Sequence, residues 1–207
     1  MFVSFLLHPA VMFVAGLVVA LAVVTGFLRF HAAPNRSADE IAGYQERLEK
    51  LPPAAFEAGS DAEIAAIARF SAFLQGIGDQ AFLRENTAKV YAAEAFLDDT
   101  LVAHEGAAAI EAYFIETCKI MTRYQVGIDD VARSGEDYYV RWTMVFAAPA
   151  LAGGAAVHSV GVSQVRFNPA GQVVFHQDFW DSGKNFFAHL PGAGGIIGFI
   201  RKRLESN

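Results

Sequence analysis

The sequence has little cysteine and little charge, and each shortage excludes a class of protein. Its 207 residues include a single cysteine, Cys118, so an intramolecular disulfide or a zinc site built from several thiolates is excluded. Only 18% of the residues are charged, and acidic residues outnumber basic ones by 22 to 16. Nucleic-acid-binding domains are usually basic, so no nucleic-acid partner is expected. The apolar fraction of 54% excludes a disordered chain.

The first 28 residues contain no charged side chain at all. Within them, residues 10–28 form an apolar run interrupted only by Gly16, Thr25 and Gly26, and about 20 such residues cross a bilayer as a helix. We therefore predict a transmembrane anchor over residues 1–30. A cleaved signal peptide and a buried core helix are the alternatives, but the first would carry a basic residue before the run and the second is rarely apolar on every side.

Two arginines indicate the orientation of this anchor. Arg29 and Arg36 follow the apolar run, whereas no Lys or Arg precedes it. Basic residues favour the cytoplasmic side, so we expect a single-pass protein of the cell membrane with its soluble part in the cytoplasm. The free thiol of Cys118 is compatible with that compartment.

Capping motifs and helical spacing predict helices in the first half of the remaining chain. The strings Ser37-x-x-Glu40 and Ser60-x-x-Glu63 are capping boxes, and each is typical of a helix start. Apolar residues recur at helical spacing after the second box and again after Gly106. A further helix is expected over residues 80–91, followed by a short extended segment at residues 95–98.

Strands follow in the second half, where apolar residues alternate with polar ones. Residues 138–146, 156–167 and 172–181 have this pattern, and the string Asn168-Pro169-Ala170-Gly171 is typical of the turn between the last two. Helices followed by antiparallel strands predict an α+β fold. We divide the chain into an anchor (residues 1–30), a linker with a short polar helix (31–59), an α+β domain (60–183) and a basic tail (184–207).

The tail combines an apolar side with three consecutive basic residues. Ile196, Ile197, Phe199, Ile200 and Leu204 recur at helical spacing after a glycine-rich segment. The pattern favours an amphipathic helix that lies on a membrane surface, or a terminal helix that closes the domain; both can hold. The residues expected to contact anionic lipid are Arg201, Lys202 and Arg203.

Several local strings are informative together with the order of these elements: residues 68–70, 91–99, 106–110, 113–114, 165–173 and 179–180. Together they resemble the nuclear-transport-factor-2-like superfamily. The nearest branch is the SnoaL-like group, which includes bacterial ketosteroid isomerase and polyketide cyclases. The resemblance implies a cone-shaped α+β domain, with about three helices inside a curved antiparallel sheet and an apolar pocket at the open end. It also implies a homodimer formed through the sheet, and no cofactor is expected.

The resemblance also assigns roles to three residues. It places the isomerase's carboxylate base at Asp99 and its two oxyanion donors at Phe70 and Ser163. Phe70 has no hydroxyl and Ser163 offers one hydrogen bond, and losing one such donor costs ~2.7–4 kcal/mol of barrier stabilisation. Authentic steroid isomerisation is therefore not expected. Alternatively, Asp98 and Asp99 belong to a solvated turn.

A second polar cluster lies near the end of the last predicted strand. His176, Asp178 and Trp180 fall on one side of that strand, which favours a ligand-binding role for all three. A structural role is the alternative. Two ligands on one strand are too few for a closed metal site, so no metal is predicted. Phe70 and Trp142 are expected to form apolar walls of the pocket, Trp142 because it lies on an apolar face of the predicted sheet; a core role is the alternative for both.

Three functional hypotheses follow from these patterns. The first is a membrane-anchored SnoaL-like domain whose apolar pocket binds a small hydrophobic or lipid-like molecule. The second is an isomerase, cyclase or hydrolase that uses Asp99 as general base, with Ser163 stabilising an enolate. The third is a dimeric scaffold with a vestigial pocket. One fold hosts many functions, so the site itself has to distinguish them.

Overall fold

The computed structural model describes residues 37–53 and 55–205, which belong to two compact units. Helix α1, Ser37–Lys50, belongs to the first unit, which ends at Lys50. It begins and ends where the capping box and the polar composition predict, and none of its residues is buried. The predicted anchor lies outside the described residues. Among those that are described, no helix has the length and apolarity needed to cross a membrane.

Three helices form the inner layer of the second unit. They are α2, Asp61–Gln75, α3, Gln80–Val90, and α4, Ala107–Ile120. Ser60 caps α2, since its hydroxyl accepts a hydrogen bond from the amide of Glu63. Asp79 caps α3 in the same way, through the amides of Ala81 and Phe82. The predicted helix positions are thus confirmed, although α3 stops one residue early.

The described residues contain six strands: β1 Tyr91–Asp98, β2 Ala103–Glu105, β3 Arg123–Ser134, β4 Asp137–Ala147, β5 Val157–Phe167 and β6 Val173–Trp180. They form one curved, unclosed sheet in the order β2-β1-β6-β5-β4-β3. Strand β1 runs parallel to β6, and every other neighbouring pair is antiparallel. The α+β class is confirmed, but the expectation of a wholly antiparallel sheet is wrong at this one pair. Helix α4 and four strands separate β1 from β6 along the chain, and a connection of that length permits a parallel pair.

The turn between β5 and β6 fixes the register of the two strands that carry the polar cluster. The side chain of Asn168 accepts hydrogen bonds from the amides of Ala170 and Gln172, and Gly171 has a positive φ of 77°. This is the turn that the sequence predicts. The resulting register places Ser163 directly opposite Asp178.

Aromatic rings fill the space between the helices and the sheet. Phe70 lies edge-on to Tyr91 and Phe167, with ring centroids 6.5 and 6.3 Å apart. Phe73 makes similar edge contacts with Tyr91 and Phe114, at 5.4 and 5.7 Å. These side chains are at most 6% exposed. Edge-to-face pairs add about 0.5–1.5 kcal/mol each beyond the burial of their area, so the core has a defined geometry on which a site can be built.

The second unit ends in one short helix and one longer helix. Helix α5, Ser182–Asn185, is tied to the sheet by a hydrogen bond of 3.0 Å from the Asn185 amide to the Ser159 hydroxyl. Helix α6, Ala193–Glu205, covers the predicted tail helix. Its apolar residues Ile196, Phe199, Ile200 and Leu204 are all more than half exposed. Contact of Arg201, Lys202 and Arg203 with a membrane stays a prediction.

Candidate functional site

A cavity lies between helices α2 and α4 and the face of the sheet that they cover. The space open to the centre of a water molecule is about 100 Å³. This is of the same order as the ~150 Å³ engineered cavity that holds benzene in another protein. Seven of the residues that line it are aromatic: Tyr113, Phe114, Tyr124, Trp142, Phe146, Trp180 and Phe186.

The charged residues of the lining are of one sign. Asp99 and Asp178 contribute carboxylates, and neither Lys nor Arg is among the described residues that line the cavity. His176 is the remaining titratable group besides the tyrosines. The cavity therefore combines aromatic walls with two acidic groups.

A chain of hydrogen bonds runs from the cavity into the core. Trp142 Nε1 donates to Ser163 Oγ at 3.0 Å, and Ser163 Oγ donates to Asp178 Oδ1 at 2.5 Å. His176 Nε2 lies 2.8 Å from the same Asp178 oxygen, and His176 Nδ1 lies 2.8 Å from the Tyr91 hydroxyl. A neutral imidazole satisfies both partners, with Tyr91 donating to Nδ1 and Nε2–H donating to Asp178. The chain holds the Asp178 carboxylate in one position.

The two oxygens of Asp178 have different surroundings. Oδ1 accepts from Ser163 and from His176, whereas Oδ2 has no hydrogen-bond partner among the described residues. The Asp178 side chain is 17% exposed, while that of His176 is 1% exposed. Asp178 can thus accept a further hydrogen bond at Oδ2 from a molecule in the cavity, while Ser163 and His176 hold its carboxylate in place.

Asp99, in contrast, uses both carboxylate oxygens within the chain. Its Oδ1 accepts from the amides of Leu101 and Val102, each at 2.9 Å, and its Oδ2 accepts from the Tyr113 hydroxyl. Trp180 Nε1 donates to the Asp99 carbonyl at 2.7 Å, which ties the end of β6 to the loop after β1. Asp99 therefore holds the cavity wall together as well as lining it.

Two tyrosines lie close to these carboxylates. Burial raises the pKa of Tyr113 well above its ordinary value, and the neighbouring Asp99 charge raises it further. Burial also raises the pKa of Tyr124, and both Asp99 and Asp178 add to that effect. Both hydroxyls stay protonated at neutral pH. The Tyr124 hydroxyl has no hydrogen-bond partner among the described residues, so it can donate to a ligand.

The structure brings together most of the residues that the sequence singles out. Asp99, Ser163, Trp142, His176, Asp178 and Trp180 all line the cavity. Phe70 does not line it: this residue is 1% exposed in the core, with its ring 5.2 Å from that of His176. The role of Phe70 is to pack behind the polar chain. Whether any of these residues binds a ligand or takes part in catalysis stays a prediction.

Tyr113 and Tyr124 line the cavity, but the sequence alone does not indicate them. Tyr113 lies on the apolar side of α4, where it is indistinguishable from a core residue. Tyr124 lies at the start of β3, a strand without a fully buried residue. The spacing of Tyr124 and Val126 is the one available signal, since both line the cavity. No group of three or more possible metal ligands occurs within the part of the chain that the structure describes.

Comparison with solved structures shows that the α+β domain has the fold of the nuclear-transport-factor-2-like and ketosteroid-isomerase-like proteins. A protein of unknown function with this fold from Burkholderia pseudomallei matches with a TM-score of 0.53 and 13% identity, over 64% of this chain and 100% of its own. No family model matches the sequence, and no curated protein matches it.

Two further structures show the same fold. A ketosteroid-isomerase-like protein from Catenulispora acidiphila, solved in complex with trimethylamine, has a TM-score of 0.50 and 13% identity, over 60% of this chain and 91% of its own. TsrD from Streptomyces laurentii has a TM-score of 0.50 and 17% identity, over 66% and 99%. The predicted resemblance is thus confirmed at the level of the fold.

Proposed function

We propose that the cavity binds a compact, mainly apolar molecule that carries one hydrogen-bond donor. The observation that carries this proposal is the aromatic cavity that Asp178 lines with one unpaired oxygen. Aromatic walls supply most of the binding energy, and a few fixed polar groups set the orientation of the ligand. Because Ser163 and His176 already hold Asp178 in place, binding of a ligand loses little side-chain entropy at this residue.

The two tryptophans of the chain provide the test of binding. Trp142 and Trp180 are its only tryptophans, and both line the cavity. Intrinsic fluorescence therefore reports on this site, and we expect benzyl alcohol to change it saturably. Thr117→Phe fills the cavity from α4 and should abolish the change.

The matched control is Thr143→Phe, which adds the same ring at an exposed position of β4. It should bind benzyl alcohol as the unmodified chain does. If Thr117→Phe, still folded by circular dichroism, binds as well as Thr143→Phe, the ligand does not occupy this cavity and the proposal is wrong.

A second candidate function is proton transfer, favoured by the unpaired oxygen of Asp178. In this reaction the C–H bond beside a carbonyl breaks and the proton passes to Asp178 Oδ2. The electron pair of that bond forms a C=C bond, and the π pair of the carbonyl moves to its oxygen. The Tyr124 hydroxyl would donate a hydrogen bond to the resulting enolate. Asp99, the base that the sequence resemblance suggests, has hydrogen bonds on both oxygens and would have to lose one first.

Exchange of carbon-bound protons tests this second candidate. In D2O, the protein should speed deuterium incorporation into the methyl group of acetophenone, followed by NMR. Asp178→Asn should remove the acceleration, whereas Asp99→Asn should retain most of it. Acceleration lost only in Asp99→Asn would make Asp99 the base, and no acceleration in the unmodified chain would remove the candidate.

A further inference from the structure

The charges that line the cavity restrict the ligands it can favour. Two carboxylates, Asp99 and Asp178, contribute negative charge, and no described Lys or Arg side chain is there to balance it. Buried charge is costly unless an opposite charge compensates it. A cation that enters the cavity supplies that compensation, whereas an anion adds to the repulsion. The two carboxylates therefore favour a cationic ligand over an anionic one.

The aromatic walls favour the same sign of charge. Trp142 and Trp180 line the cavity together with Tyr113, Tyr124 and Phe114. The faces of such rings carry negative partial charge and attract organic cations, with tryptophan the strongest of them. The carboxylates and the ring faces therefore attract the same kind of ligand, a cation. An alkyl or aryl ammonium group also has the apolar body that the walls require.

Hydrogen bonding adds a third condition. Asp178 Oδ2 accepts no hydrogen bond from the described residues, and a carboxylate oxygen can only accept. The group that it meets must be a donor. Its partner Ser163 and the ring of His176 already occupy Oδ1, so the open oxygen has a defined direction. An N–H of an ammonium group makes a charge-assisted bond there, which is stronger than a bond from a neutral hydroxyl.

We infer that the cavity selects a small organic cation, a primary to tertiary amine with an apolar body, whose ammonium group bonds to Asp178 Oδ2 within the aromatic walls. This inference rests on the proposed binding function and names the chemical class of its ligand. Asp99 contributes charge without giving up its bonds to the chain.

The test compares three probes of one shape by tryptophan fluorescence. Benzylamine, benzyl alcohol and benzoate carry a cation, a neutral donor and an anion on the same ring. The titration is run near pH 8, where benzylamine is protonated. We expect benzylamine to bind about tenfold more tightly than benzyl alcohol, as a charged hydrogen bond allows, and benzoate to bind most weakly.

Variants separate the ligand class from the binding function. Asp178→Asn should lower the affinity for benzylamine about tenfold more than the affinity for benzyl alcohol, because only the amine loses a charge-assisted hydrogen bond. Asp98→Asn is the control, because Asp98 is the neighbour of Asp99 but is not among the residues that line the cavity. It should bind both probes as the unmodified chain does.

Two results, both measured on the unmodified chain, would contradict the inference. If benzyl alcohol or benzoate binds as tightly as benzylamine, selection for a cation is wrong while binding in the cavity stands. If none of the three probes changes the fluorescence, the proposed binding function fails together with the inference. Thermal unfolding of Asp178→Asn shows whether a lost signal reflects the site or the fold.

Discussion

Glu63 is a buried carboxylate that connects three parts of the second unit. It accepts hydrogen bonds from Arg133 on β3 at 2.6 Å, from the Tyr138 hydroxyl on β4 at 2.7 Å, and from the amide of Gly59 at 2.5 Å. The side chain of Glu63 is 8% exposed and that of Arg133 is 25% exposed. Arg133 also donates to the Phe56 carbonyl at 3.0 Å. The cluster holds the segment before α2 against the sheet.

Replacing Glu63 should therefore destabilise the fold. Glu63→Gln keeps the shape but removes the charge and replaces one acceptor oxygen with an NH2 donor, so at least one hydrogen bond is lost and the others weaken from charged to neutral. We expect a loss of about 2 kcal/mol in the free energy of unfolding, the range for hydrogen bonds to a charged group. Urea unfolding at neutral pH measures it. Glu57→Gln is the control, since Glu57 is exposed; an equal loss in both variants would contradict the prediction.

The same cluster predicts a dependence on pH. The hydrogen bonds from Tyr138 and Gly59, with the charge of Arg133, hold the pKa of Glu63 below its ordinary value of 4.5. A pKa that is lower in the folded state stabilises the fold above the unfolded value, and this stabilisation disappears as the pH falls through the folded value. The difference in the free energy of unfolding between Glu63→Gln and the unmodified chain should thus be largest at neutral pH. It should shrink as the pH falls below about 4.5.

At the scale of single elements, the sequence predicts helices better than strands. The starts of α2 and α3 follow from Ser60 and Asp79, whose side chains satisfy free amides at the helix ends. This information is local, so a single sequence contains it. The amphipathic helix α4 after Gly106 is equally local, because its apolar residues recur on one side.

Strands β1 and β3 show where local information stops. The alanine-rich start of β1 at Tyr91 resembles the end of a helix, but pairing with β6 makes it extended. Strand β3 has no buried residue, so its alternation has little contrast between apolar and polar positions. In both cases the deciding contacts come from strands distant in the sequence.

The candidate site also has one part that local sequence information predicts and one part that depends on distant strands. The spacing of His176, Asp178 and Trp180 on β6 predicts that they face one side, and all three line the cavity. No local pattern predicts that Ser163 lies opposite Asp178, since this depends on the register set by the turn at Asn168. The free oxygen of Asp178 follows from that register, and it carries the proposals above.

At the scale of the whole molecule, the outer face of the sheet is apolar where the cavity-lining strands end. Val160 on β5 is 66% exposed and Phe179 on β6 is 48% exposed. Val162, which pairs with Phe179 across the two strands, is half-buried. Contiguous exposed apolar side chains mark surfaces that bind other proteins. The homodimer that the sequence resemblance implies would bury them.

We therefore expect the protein to form a dimer through this face, and Phe179→Asp to convert it to a monomer. A carboxylate at the centre of an apolar interface would be buried without a partner, which is costly. Light scattering after size-exclusion chromatography, in a detergent that keeps the whole chain dispersed, measures the mass. Ile64→Asp makes the same kind of change at an exposed apolar residue of α2, away from the sheet, and should leave the dimer intact. A monomeric unmodified chain, or equal masses for the two variants, would show that the copies do not associate through β5 and β6.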